Sequence, residues 1–192
     1  MGPEIYAFIF QGLLAETALD KTDRLTHAKL GTNLDAEIAS RLPIHFLEDT
    51  FVLRARKMAT VYVAIAAFEN TVREFISKRL LEEVGADWWA NAVSDKIRDK
   101  AESRKKDEER IRWHTARGDE PINYTEFGDL GSIVGQNWDH FEDHLQSQDW
   151  VRQIFSTLER SRNVIMHSGE LGLQDVERVG TAMRDWIRQV GA

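Results

Sequence analysis

Met58-Ala59-Thr60-Val61-Tyr62-Val63-Ala64-Ile65-Ala66-Ala67-Phe68-Glu69-Asn70-Thr71-Val72-Arg73-Glu74-Phe75-Ile76 brings apolar side chains round at Met58, Val61, Tyr62, Ile65, Phe68, Val72 and Ile76. That is the recurrence of a helix turning about 100° per residue. The helical region extends from Phe51 to about Leu81 without an internal glycine or proline, so nothing interrupts its backbone hydrogen-bond ladder. One residue of the apolar stripe is charged. Glu69, four after Ile65 and three before Val72, turns a carboxylate toward the core, where it needs a cation or a set of donors.

A second amphipathic run, Gln148 to His167, places Val151, Ile154, Phe155, Leu158 and Ile165 on one stripe. Arg162 falls between Leu158 and Ile165 on the helical wheel, and an arginine cannot shed its proton to escape burial. Two such helices packed together put an acid and a base in one dry layer, where each satisfies the other. The pair reads either as a structural ion pair or as a device by which Glu69 holds Arg162 at the wall of a cleft. Asn163 and His167, four apart, share a face about a third of a turn away. Gly169 is the expected stop, leaving His167 in the last turn, where the helix dipole favours the imidazolium. An arginine, an amide and a histidine on adjacent faces suit chemistry on phosphate: one neutralises charge and another moves a proton near neutral pH. The same letters also describe a capping histidine beside a structural arginine.

The 192-residue chain is long enough for one domain with a real core, and its 42% apolar and 30% charged residues are ordinary for a soluble protein. No apolar run reaches membrane-spanning length, and Met1 to Leu14 lacks a basic start and carries Glu4, so a membrane partner is not expected and the expected location is cytoplasmic. The absence of cysteine excludes disulfides, thiolate metal sites and thiol nucleophiles. A net charge of -7 argues against coating nucleic acid by bulk electrostatics, but leaves room for a local cationic cleft.

Residues 1–41 read as an N-terminal extension of short helices, with apolar pieces at Ile5 to Leu14 and Leu25 to Leu30, that packs on the body or serves as a docking arm. The main domain is expected over 42–192. After Gly85, Trp88-Trp89 open a short segment whose indoles suit a core or an interface. Lys96 to Arg117 holds nine basic and five acidic residues and reads as an exposed helix. Its surplus of positive charge makes Arg104, Lys105, Lys106, Arg110 and Arg112 the candidate RNA-binding residues, against the plainer reading of a solvated face. Phe127 to Trp138 mixes glycines with apolar residues, as short helices with tight turns do. His140 and His144, four apart, read as residues of an exposed charged helix, with no third ligand to make them a metal site. The last helix is expected from about Leu173 to Val190, with Val176, Val179, Met183, Trp186, Ile187 and Val190 inward.

Three segments together, Tyr62 to Glu74, Phe127 to Trp138, and Arg162-Asn163-Val164-Ile165-Met166-His167, resemble the HEPN superfamily (higher eukaryotes and prokaryotes nucleotide-binding). Within it the likeness is to the branch containing the HEPN domain of the yeast transcript-surveillance endonuclease, and it covers roughly 42 to 190. The resemblance implies an all-α, HEPN-like helical bundle. It further implies a homodimer whose facing R-x-x-x-x-H motifs form a metal-independent endoribonuclease site without a cofactor. Arg162 would then stabilise the pentavalent phosphate, His167 would transfer the proton or fix the scissile group, and Asn163 would orient the site, with RNA as the substrate. Glu69 joins them as a supporting residue from the wheel, outside the family motif. Such a domain implies a toxin, phage-defence or stress effector, with an antitoxin or regulatory protein as a further partner. The alternative is a catalytically silent HEPN module that dimerises and binds RNA, nucleotide or a protein. One feature departs from the family: toxins of the superfamily governed by a nucleotidyltransferase carry a tyrosine two residues after the histidine, where this chain has Gly169.

Overall fold

The computed structural model describes residues 35–191. The expected helices at Ile5 to Leu14 and Leu25 to Leu30 lie outside the described residues, as do Phe8 and Phe10, which with Trp150 and Met166 are expected either to pack in the core or to cover a dimer interface. Contacts divide the chain into two units, Met1–Val52 and Leu53–Ala192. In the first, residues 35–41 are helical and Ile44–Phe46 form a 3-10 turn.

The long helix α1 runs Asp49–Val84, about 54 Å at 1.5 Å per residue. α2 is Trp88–Ala92, α3 Asp95–Glu109, α4 Phe127–Gln136, α5 Gln148–Met166 and α6 Leu173–Val190, with 3-10 turns at Pro121–Tyr124 and Trp138–His140. No strand occurs among the described residues, and the fold is all-α. α4 packs on α5, α5 on α6, and the Pro121–Tyr124 turn on α3. Gly131 permits the first of these: a Cβ there would stand 3.3 Å from Phe155 Cδ2.

The core of the second unit forms where the expected stripes meet. Met58, Val61, Ile65, Phe68, Val72, Ile76 and Leu80 of α1 are buried with Val151, Ile154, Phe155 and Leu158 of α5. Trp186 of α6 is at its centre, edge-on to Phe68 and Phe75 at 6.0 and 5.8 Å and parallel to Trp150 at 5.7 Å. Such aromatic contacts add about 0.5–1.5 kcal/mol per pair beyond area burial.

Several expectations need correction. Tyr62 and Ile187 lie at the edges of their stripes and are 38% and 59% exposed rather than inward. α3 ends at Glu109 instead of continuing to Arg117, because Arg117 turns back to place its Nε 2.6 Å from Glu108 Oε1. α3 is also anchored on one side, by buried Ile97 and Ala101. His140 and His144 do not share a helical face: His140 ends a 3-10 turn and His144 follows in a further turn, its ring 6.1 Å from Phe75.

Candidate functional site

The site is built on the C-terminal half of α5 and the facing stretch of α1. Ser147 caps the start of α5 by accepting the Trp150 backbone N–H at 3.1 Å. The apolar stripe then fixes the rotation of the helix, and that rotation directs Arg162 toward α1. There Arg162 Nε lies 3.6 Å from Glu69 Oε2; the arginine side chain is 28% exposed and the glutamate 7%.

Glu69 has a second and closer partner that the helical wheel does not reveal. Arg73, one turn further along α1, places its Nη2 2.5 Å from Glu69 Oε1 and 2.8 Å from the Thr125 carbonyl, and its Nη1 2.8 Å from Asn70 Oδ1. One carboxylate is thus divided between two guanidiniums. Burial lowers the Arg73 pKa, Glu69 opposes that shift, and the charges of Arg162 and Arg117 lower it further. Arg73 Nε is buried without a hydrogen-bond partner. The legible clue to Arg73 is its i,i+4 spacing from a core-facing acid.

Asn163 and His167 are exposed and border an open depression with Ser156, Glu159, Arg160 and Val164. Arg162 and His167 are separated by about 140° around the helix, whereas Asn163 and His167 are about 40° apart. One chain therefore brings the amide and the imidazole together but turns the arginine to another face. Val164 and Met166, beside them, are exposed apolar residues. Trp150, by contrast, is engaged with Trp186.

The end of α5 differs from the expected glycine stop. His167 is the C-cap and Ser168 takes the left-handed conformation at φ 62°. Ser168 N–H donates to Ile165 O at 3.0 Å and Gly169 N–H to Val164 O at 2.8 Å, the paired bonds of a Schellman motif. Gly169 serves a packing need: a Cβ there would fall 2.7 Å from Val164 Cγ1 and 2.8 Å from Val164 O.

The five basic residues of the third helical region separate into two groups. Arg104 is turned inward, donating from Nη1 to Tyr124 O at 2.7 Å and Asp129 Oδ2 at 3.0 Å, with Nη2 3.1 Å from Glu126. It is a strut between α3 and the start of α4. Burial acts to raise the Asp129 carboxyl, but hydrogen bonds from Arg104, the Glu126 N–H and Lys100 outweigh it and hold the group below the usual aspartate range. Lys105 is half-buried, whereas Lys106, Arg110 and Arg112 are exposed; Lys106 pairs with Glu102 and Arg110 with Asp107. The clue to the inward Arg104 is the Glu126–Asp129 capping box, which brings its carboxylates to the mouth of α4.

An all-α bundle with R-x-x-x-x-H near the end of a core helix has the form of a HEPN domain. The Swt1-like HEPN family matches residues 64–191, and the chain belongs to that family. Swt1 is the yeast RNA endonuclease. HEPN domains are generally RNases, which gives this domain an RNase-type or RNA-binding character. Neither a curated protein nor a solved structure matches the chain. No described helix is long and apolar enough to cross a membrane.

Proposed function

We propose that the protein is a metal-independent endoribonuclease, active as a homodimer in the cytoplasm, and deployed as a toxin, phage-defence or stress effector under an antitoxin or regulatory protein. The reading rests on the arrangement around α5: Arg162 held by Glu69 at partial exposure, with Asn163 and His167 a turn apart on an open face. In the proposed reaction the ribose 2'-OH loses its proton and attacks the adjacent phosphorus. The bond to the 5'-oxygen breaks, and that oxygen leaves with a proton. The products are a 2',3'-cyclic phosphate and a 5'-OH. Arg162 neutralises the non-bridging oxygens, His167 carries a proton on one side of the displacement, and Asn163 orients the phosphate.

The test is incubation of the purified protein with mixed cellular RNA in EDTA, followed by mapping of the cut ends. Cyclic phosphate and 5'-OH ends are expected. Cleavage that stops with chelator and returns with a divalent ion would overturn the mechanism, while RNA binding without cleavage would favour the catalytically silent module.

A further inference from the structure

Among the described residues, Trp113 is the most exposed large apolar side chain, at 86%. Its indole stands edge-on to the His114 ring at 5.7 Å, and Arg110 and Arg112, both exposed, precede it closely in sequence. The core makes no use of it. The loop carrying it is nonetheless firmly tied at its base. Arg117 Nε and backbone N donate to the two carboxylate oxygens of Glu108 at 2.6 and 3.1 Å, its guanidinium stands 5.4 Å over the Tyr124 ring, and Tyr124 OH donates to Gly118 O at 2.9 Å. The anchorage fixes where the loop meets the body and keeps the exposed indole near that point.

The anchorage also connects the loop to the candidate site. Tyr124, beneath Arg117, is followed by Thr125, whose carbonyl receives Arg73, and Arg73 shares Glu69 with Arg162. Trp113 is four residues from Arg117, a reach of at most about 14 Å for extended chain. We infer that Trp113, directly after Arg110-Ile111-Arg112, is a base-stacking site for single-stranded RNA that holds a nucleotide flanking the phosphate at Arg162. The inference rests on RNA being the substrate of the Arg162–His167 site. An indole offers its face to any base, and nearby guanidiniums track the backbone, the usual composition of a sequence-tolerant single-strand site. A protein-docking hot spot would instead be ringed by apolar neighbours that exclude water; here the adjacent apolar companion is Ile111, between two arginines.

The experiment uses the full chain carrying His167→Ala, so that RNA survives, and follows a short fluorescein-labelled oligouridine by anisotropy. Adding Trp113→Ala is expected to weaken binding roughly ten- to a hundredfold, with Trp113→Phe retaining most of the affinity. Arg112→Ala should weaken binding and flatten its salt dependence. Unchanged affinity in Trp113→Ala, with the oligouridine still bound, overturns this inference and leaves the RNA reading standing. Absence of binding by every form removes both. A Trp113→Ala protein with unchanged RNA affinity but lower mass by light scattering assigns the indole to a contact between copies and overturns the stacking site.

Discussion

Arg162 on α5 and Glu69 on α1 lie 3.6 Å apart, Nε to Oε2, and the glutamate is nearly enclosed. Because the other oxygen of Glu69 holds Arg73, removing the carboxylate leaves two cations facing each other in a dry layer. Breaking a buried pair from one side typically costs about 3–5 kcal/mol. Glu69→Ala is therefore expected near the lower end, since Arg162 can turn partly to water. Urea unfolding measures the loss, and an unchanged midpoint would show that the pair contributes nothing to stability.

Much of this layer is legible in the sequence because charges that interrupt an apolar period stand out. Glu69 and Arg162 do so, and the helices bearing them run close to the expected course: α1 spans Asp49–Val84 around the expected Phe51 to Leu81, and α5 begins at Gln148. Arg73 is less legible since it lies off the stripe and reaches Glu69 by curling back along its own helix. Arg104 is hidden for another reason. α3 is charged on most faces, so no periodicity marks Arg104 as the arginine that reaches the start of α4. Ser168 shows a third limit: a glycine nearby invites the left-handed role, but close packing on Val164 requires glycine at 169, and the serine takes the positive φ.

Opposite effects are expected at the two residues ending α5. Ser168→Gly relieves a left-handed serine, a conformation that costs roughly 1 kcal/mol outside glycine, and should raise stability by up to that amount. Gly169→Ala drives a methyl into Val164 and should lower stability by about 1–3 kcal/mol. Thermal melts of the two variants check the signs. Gly169→Tyr, which adds a larger side chain at the same place, should be at least as disruptive as the alanine.

Asp129 gives the fold a predictable acid response. Its folded pKa is depressed, so its stabilising contribution is fully present above the unfolded value of about 3.9 and disappears as pH falls through the lower folded value. Asp129→Asn should therefore be less stable than wild type at neutral pH, and the gap should narrow below about pH 4. Urea unfolding of both proteins across that range is the measurement; a gap independent of pH would assign the loss to shape rather than charge.

Exposed His167 contributes little to the core, so His167→Ala should leave the unfolding free energy within about 0.5 kcal/mol of wild type. If it moves a proton in cleavage, kcat should fall roughly a hundred- to ten-thousandfold. Expression of the wild type should arrest growth, and the substitution should relieve the arrest. Equal toxicity at equal protein levels would remove His167 from the reaction.

The separation of about 140° between Arg162 and His167 around α5 leads to the last expectation, that the active unit is a dimer joined beside the motif. In-line displacement at phosphorus needs a base at the 2'-OH, an acid at the departing 5'-oxygen and a cation at the non-bridging oxygens. A two-fold axis near His167 would supply a second histidine and set the arginine of one protomer against the imidazole of its partner. Exposed Val164 and Met166, adjacent to Asn163 and His167, are apolar surface suited to cover such an axis. Arg162→Ala and His167→Ala proteins, each inactive, are to be mixed and allowed to exchange subunits. If each site needs one arginine and one histidine, taken from opposite chains, each mixed dimer holds one intact combination and activity should return to about a quarter of the wild-type level after random exchange; if one shared cleft uses both histidines as base and acid, the mixture stays inactive. Light scattering at the assay concentration supplies the independent check. Met166→Glu should lower the mass to that of a monomer and abolish cleavage together, and a monomer that cuts RNA at the full rate would refute the shared site.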